Sequence, residues 1–225
     1  MTHLDTELSS LKSNIIEMWN LVIIQLTKSN EALEKFDIEL ANEVLANEKR
    51  IDAFELKLNM DCENILALFN PVANDLRLVL AVLRINYDLE RIGDYAKSIA
   101  RMVSEMKKPF DDELIKKTRV LEMYAVSTKM LTIALESFEN EDNQITRKIF
   151  KKDDELDKTN NNAIEIITKL IKKHPSETHN CLNLFLTIRR LERVGDQTKN
   201  IAEEIIFYIE AKVLRHKKKK EKLEE

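Results

Sequence analysis

The chain of 225 residues contains two glycines, and both stand in the same phrase. Residues 89–100 read LERIGDYAKSIA and residues 191–202 read LERVGDQTKNIA, sharing Leu, Glu, Arg, Gly, Asp, Lys, Ile and Ala at matching positions. A glycine inside a helix costs about 1 kcal/mol relative to alanine. A chain that otherwise avoids glycine therefore needs a local reason to place it twice in one setting. The second copy starts 102 positions after the first (191 minus 89), so each half carries one. Such spacing reads as a duplicated supersecondary unit.

Three prolines punctuate the rest. Asn70 and Pro71 read as an N-cap and first-turn pair opening a helix. Pro109 closes a long segment before Asp111 and Asp112, and Pro175 with Ser176 does the same before Glu177. Between these marks apolar residues recur at steps of three and four, as in Leu4, Leu8, Leu11, Ile15, Met18 and Val22. The same spacing runs through Ile85, Leu89, Ile92, Ala96, Ile99 and Val103, and through Leu191, Val194, Thr198, Ile201 and Ile205. The pattern predicts six helices, over 4–35, 37–69, 71–107, 111–140, 142–173 and 176–215. Short connections make neighbours antiparallel. The expected fold is all-α: two pseudo-symmetric three-helix bundles in tandem, over 1–108 and 109–215, with a charged tail at 216–225.

With 44% hydrophobic and 34% charged residues the chain is globular rather than disordered. Its net charge of −4, with both signs interspersed, argues against nucleic acid as the main partner. The start, MTHLDTELSS, lacks a charged-then-apolar leader, and the longest apolar run, Leu78 to Leu83, is far short of the ~20 residues that span a bilayer. A cytoplasmic protein is expected. Cys62 and Cys181, with no CxxC, read as reduced core thiols.

The duplicated phrase carries Glu90 and Asp94, then Glu192 and Asp196, each pair one helical turn apart. At about 100° per residue, Glu90 and Asp94 fall roughly 140–180° from the apolar stripe of their own helix. A second acidic ladder precedes each copy: Glu48, Asp52 and Glu55, then Asp153, Asp157 and Asn160. Antiparallel packing would set the two ladders of each half side by side on one outer face. Gathered carboxylates repel unless a cation neutralises them, and oxygen-only ligands suit hard cations. A solvated face is the alternative, with Lys97 and Arg101 on the same side as Glu90 and Asp94. The glycines fit either close helix approach or a role beside the ligands. A di-metal carboxylate oxidase needs inward Glu-x-x-His pairs. None of His3, His174, His179 and His216 has Glu three residues before it. No nucleophile, base and orienting group form a constellation, so no enzyme is expected.

At these residues the chain resembles the PhoU family. The first half carries Pro71-Val72-Ala73, Asp75-Leu76-Arg77 and Asp88-Leu89-Glu90-Arg91-Ile92-Gly93-Asp94. The second carries Arg190-Leu191-Glu192-Arg193-Val194-Gly195-Asp196 and Asn200-Ile201-Ala202-Glu203. The resemblance implies paired three-helix bundles and metal-cluster motifs of the form Glu/Asp-x-x-x-Asp. Four stretches match: Glu48 to Asp52, Glu90 to Asp94, Asp153 to Asp157, and Glu192 to Asp196. Iron, manganese or magnesium, including multinuclear clusters, are the implied ions. The resemblance also implies a non-enzymatic regulator that damps phosphate-starvation signalling. Its implied partners are the ATPase of a phosphate-specific ABC transporter and a sensor histidine kinase. A homodimer is expected, with only indirect membrane contact. A related branch accompanies simple phosphate permeases. Two departures stand out: Gln197 where members often have His after the second Gly-Asp, and Asn160 where the first ladder has Glu55.

Overall fold

The computed structural model describes residues 2–212, and the described residues are helical with no strand. The predicted charged tail at 216–225 lies outside them. In chain order the helices are α1 (His3–Lys35), α2 (Ile38–Phe69), α3 (Ala73–Glu105), α4 (Asp112–Thr118), α5 (Val120–Asn140), α6 (Asn143–Lys173) and α7 (Thr178–Glu210), with a 3-10 turn at Pro175–Glu177. Side-chain oxygens start several of them. Thr2 and Asp5 form a reciprocal capping box on α1. Asp37, Asp111 and Asp142 accept from Leu40, Glu113 and Gln144 backbone N–H groups at 2.9, 2.7 and 2.8 Å. Each satisfies a donor that the first helical turn leaves open.

Three boundaries differ from those predicted. Asn70 closes α2 in the left-handed region (φ 47°) rather than capping α3, which begins at Ala73. Pro71 disfavours right-handed helical backbone at the preceding residue, and asparagine tolerates the left-handed alternative. The single helix predicted over 111–140 is broken at Arg119 (φ 55°) into α4 and α5. There the Thr118 hydroxyl donates to the Leu114 and Ile115 carbonyls at 2.7 and 3.1 Å, a local competitor to the helical ladder. No proline or glycine marks that break. The last helix ends at Glu210, with Ala211 left-handed, where the prediction ran on; predicted positions 213–215 lie outside the described residues.

α1, α2 and α3 make one bundle; α5, α6 and α7 make the other, with α4 leading into it. The halves join along α3–α7 and α1–α5, and their apolar residues form one continuous core. Trp19 of α1 is fully buried and donates its indole N–H to Leu131 O of α5 at 3.2 Å, so no donor is stranded. Its ring leads to Phe138 and on to Tyr208, with centroids 5.9 and 6.2 Å apart. α3 and α7 run antiparallel. Arg84 pairs with Glu204, and Arg77, nearer the start of α3, donates to Tyr208 O, further along α7. Within the first bundle, Asn86 donates to Glu55 O and Cys62 to Val79 O, which sets α2 antiparallel to α3.

Candidate metal-binding seams

Both glycines lie inside unbroken helices with ordinary helical backbone. A Cβ on Gly93 would stand 2.8 Å from Ile51 Cδ1. One on Gly195 would stand 2.5 Å from Leu156 Cδ1 and 3.1 Å from Asp153 Oδ1. Ile51 and Leu156 each lie three positions after the first acid of their ladder, so the two halves use one device. Glycine is there for close approach: α3 on α2, and α7 on α6. That closeness brings the acidic ladders together.

The ladders meet as the spacing predicted. Glu48 feels the charges of Asp94 and Asp52, and Glu90 those of Asp94, Glu55 and Glu48. In the second half Asp153 feels Asp157 and Asp196, while Glu192 feels Asp196 and Asp157. Exposure differs from the expectation of one outer face. Asp52 and Asp94 are exposed, but Glu48 and Asp153 are only 3% and 4% exposed, inside the seams. The reason is register. Val44, Glu48 and Ile51 share the buried stripe of α2, and Ile149, Asp153 and Leu156 that of α6. The first acid of each ladder holds a core position.

Each seam contains one lysine from the duplicated phrase. Lys97 Nζ lies 3.2 Å from Asp94 and 3.4 Å from Glu48. Lys199 pairs with Asp153 and, at 3.1 Å, with Asp196. Burial opposes the charge of both lysines, yet hydrogen bonds and charge from these carboxylates hold them above the ordinary lysine value. Lys199 was not singled out from sequence, although lysine is one of the eight shared positions. Arg101, expected on this side, lines a groove with residues of α7 instead.

One lysine does not neutralise the first seam, and the second, where Arg193 adds a cation 3.3 Å from Asp196 and 3.7 Å from Glu192, still holds more carboxylates than cations. Burial, reinforced by the Asp94 and Asp52 charges against the opposing pull of Lys97, pushes Glu48 up to about 7 from 4.5. Burial, then Asp94, pushes Glu90 up to about 7 from the same start. Asp153 and Glu192 are raised for the same first reason, burial. Several oxygens lack donors, namely Glu48 Oε2, Asp153 Oδ1, Glu192 Oε2 and Asn160 Oδ1, and Glu48 Oε1 has only the long 3.4 Å contact with Lys97. Excess negative charge, hard oxygen donors and unsatisfied buried oxygens fit a divalent cation in chemistry. As the side chains stand, no three or more His, Cys, Asp or Glu among the described residues form a ready cage. A metal would have to displace the lysine and draw the carboxylates inward. Asn160 keeps the second seam one formal charge poorer, as its ladder implied. Gln197 bears on neither seam: it lines a separate groove between α3 and α7 with Arg84, Asp88 and Arg91.

Cys62 and Cys181 are free and buried, and burial raises both, Cys62 to about 12. Among the described residues no helix is long and apolar enough to cross a membrane.

Fold and seams define a class: tandem, pseudo-equivalent three-helix bundles, each closed by a glycine contact beside an acidic ladder pair. The model of the PhoU domain matches residues 15–103 and 120–205, one match in each half. The chain belongs to the PhoU family. It is 33% identical to a phosphate-specific transport system accessory protein PhoU homolog of Thermotoga maritima, over 91% of this chain and 88% of that one. It is 30% identical to a similarly named protein of a Burkholderia species, over 94% and 91%. The structure resembles the crystal structure of PhoU from Pseudomonas aeruginosa with a TM-score of 0.85 at 28% identity, over 93% of this chain and all of that one.

Proposed function

We propose that this chain regulates phosphate uptake and phosphate-starvation signalling, acting as a metal-binding adaptor without chemistry of its own. The observation that carries the reading is full-length similarity: relatives named as accessory proteins of the phosphate-specific transport system align over about nine-tenths of both chains. The acidic seams support a cation-dependent surface. Bound metal would neutralise Glu48, Glu90 and Asp94 in one half and Asp153, Glu192 and Asp196 in the other, with iron, manganese or magnesium as the candidates. Long helices with polar outer faces suit moderate, reversible contacts, as an adaptor between a transporter ATPase and a sensor histidine kinase requires.

Two measurements test this. Deleting the gene is expected to raise expression of phosphate-starvation genes in phosphate-rich medium; unchanged reporter output would sink the regulatory reading. Elemental analysis of protein purified without an affinity tag is expected to find metal that falls when Asp94 and Asp196 are both replaced by Ala. Equal metal in both proteins would remove the seams as its site.

A further inference from the structure

The antiparallel packing of α3 on α7 leaves two grooves, and pseudo-symmetry relates them through the 102-residue offset. One is lined by Arg84, Asp88, Arg91, Gln197 and neighbours. The other, of about 370 Å³, is lined by Ser98, Arg101, Glu105, His179, Asn183 and Arg190 on its polar side. Met102, Met106 and Leu186 form its apolar wall.

The grooves differ in how their cations are satisfied. In the first, Arg84 pairs with the carboxylate of Glu204, and Arg91 donates to the hydroxyls of Tyr87 and Tyr95. In the second, Arg190 stands where the first has Asp88 (88 plus 102). Arg190 is half-buried, forms no ion pair among the described residues, and its Nη1 is buried with no acceptor. Burial works against its charge, and the Tyr124 phenol that acts on it is itself fully buried and engaged with Ser29. Arg101, also on this groove, is exposed, and Leu186 takes the place of Arg84. A guanidinium keeps its charge and five donors at any physiological pH, so a half-buried one without an acceptor is costly.

We infer that this second groove is a binding site for a phosphorylated small molecule. Arg101 and Arg190 take the phosphoryl oxygens, assisted by Ser98, Asn183 and His179. Met102, Met106 and Leu186 hold the organic body. A planar guanidinium fork donates to two oxygens of a tetrahedral phosphoryl group at once. The single carboxylate, Glu105, is exposed and leaves the groove net positive. The site is separate from the acidic seams, which lie between α2 and α3 and between α6 and α7, and it does not depend on the metal or signalling readings.

The test is calorimetric titration of the full chain with inorganic phosphate, AMP and adenosine, in buffer passed over a chelating resin so that phosphate cannot ride on metal. AMP is expected to bind more tightly than phosphate, and adenosine not to bind. Equal binding of phosphate and AMP would assign the site to the phosphoryl group itself, with inorganic phosphate as its source. Arg101→Met, an exposed change, is expected to weaken binding about tenfold, and Arg190→Met about ten- to a hundredfold. Arg190→Met is also expected to raise the melting temperature without ligand while losing the ligand-induced increase. No binding of phosphate or AMP at millimolar concentration overturns the inference, as does binding that survives both substitutions unchanged.

Discussion

Glu48→Gln is a direct probe of the buried charge in the first seam. The Glu48 carboxyl titrates near 7 in the fold against 4.5 ordinarily, because burial and the Asp94 and Asp52 charges outweigh Lys97. The folded state then binds more protons than the unfolded chain between about pH 4.5 and 7, so stability falls as pH rises through that window. At about 1.4 kcal/mol per tenfold change in proton activity, Glu48 alone removes up to about 3 kcal/mol by pH 8. Glu90 is raised by burial and by the charges of Asp94, Glu55 and Glu48, and acts in the same direction. Glutamine keeps the shape and an acceptor for Lys97 but carries no charge. Glu48→Gln is therefore expected to exceed the wild type by about 1 kcal/mol at pH 5 and by up to about 3 kcal/mol at pH 8. Urea unfolding followed by circular dichroism, in metal-free buffer at unit steps from pH 5 to 8, measures this. A wild-type stability that stays flat or rises across that range would refute the reasoning. So would a variant no more stable than the wild type at pH 8.

Three further outcomes follow from the same geometry. Gly93→Ala gains about 1 kcal/mol of helix propensity but presses on Ile51, and Gly195→Ala presses on both Leu156 and Asp153. Thermal unfolding should show Gly195→Ala the more destabilising, by about 1–3 kcal/mol, and Ile51→Val should recover part of the loss in Gly93→Ala. On the metal-binding reading, Lys97→Met and Lys199→Met spare an incoming ion the displacement of an ammonium. Calorimetry should find manganese affinity raised about tenfold and metal-free stability lowered, whereas unchanged affinity would separate the lysines from the site. Arg84→Met removes the pair to Glu204, a carboxylate only 3% exposed, and should cost about 1–3 kcal/mol in urea unfolding with loosened α3–α7 packing.

The sequence by itself determined the helices, their doubling and the acids that face one another. A 3.6-residue apolar period and a two-glycine composition leave little room for anything but long helices, and offsets of 102 positions between the glycine phrases and 105 (153 minus 48) between the ladders before them make the halves equivalent. Those are local properties, readable from spacing. The meeting of the ladders followed because antiparallel neighbours bring Glu48 beside Asp94 and Glu55 beside Glu90. Tertiary structure decided the rest. The helix break at Arg119 depends on a threonine hydroxyl turning back on its own helix, for which no proline or glycine gives warning. Whether a glycine serves packing or a ligand depends on what lies opposite it, and only the fold places Ile51 and Leu156 there. The burial of Glu48 and Asp153 was latent in the stripes Val44-Glu48-Ile51 and Ile149-Asp153-Leu156, but a helical wheel of one helix does not show how closely the next approaches. The contrast between Asp88 and Arg190 lies in grooves that form where one half packs on the other. Burial and counter-charge are properties of neighbours distant in sequence, so they are settled only when the two bundles meet.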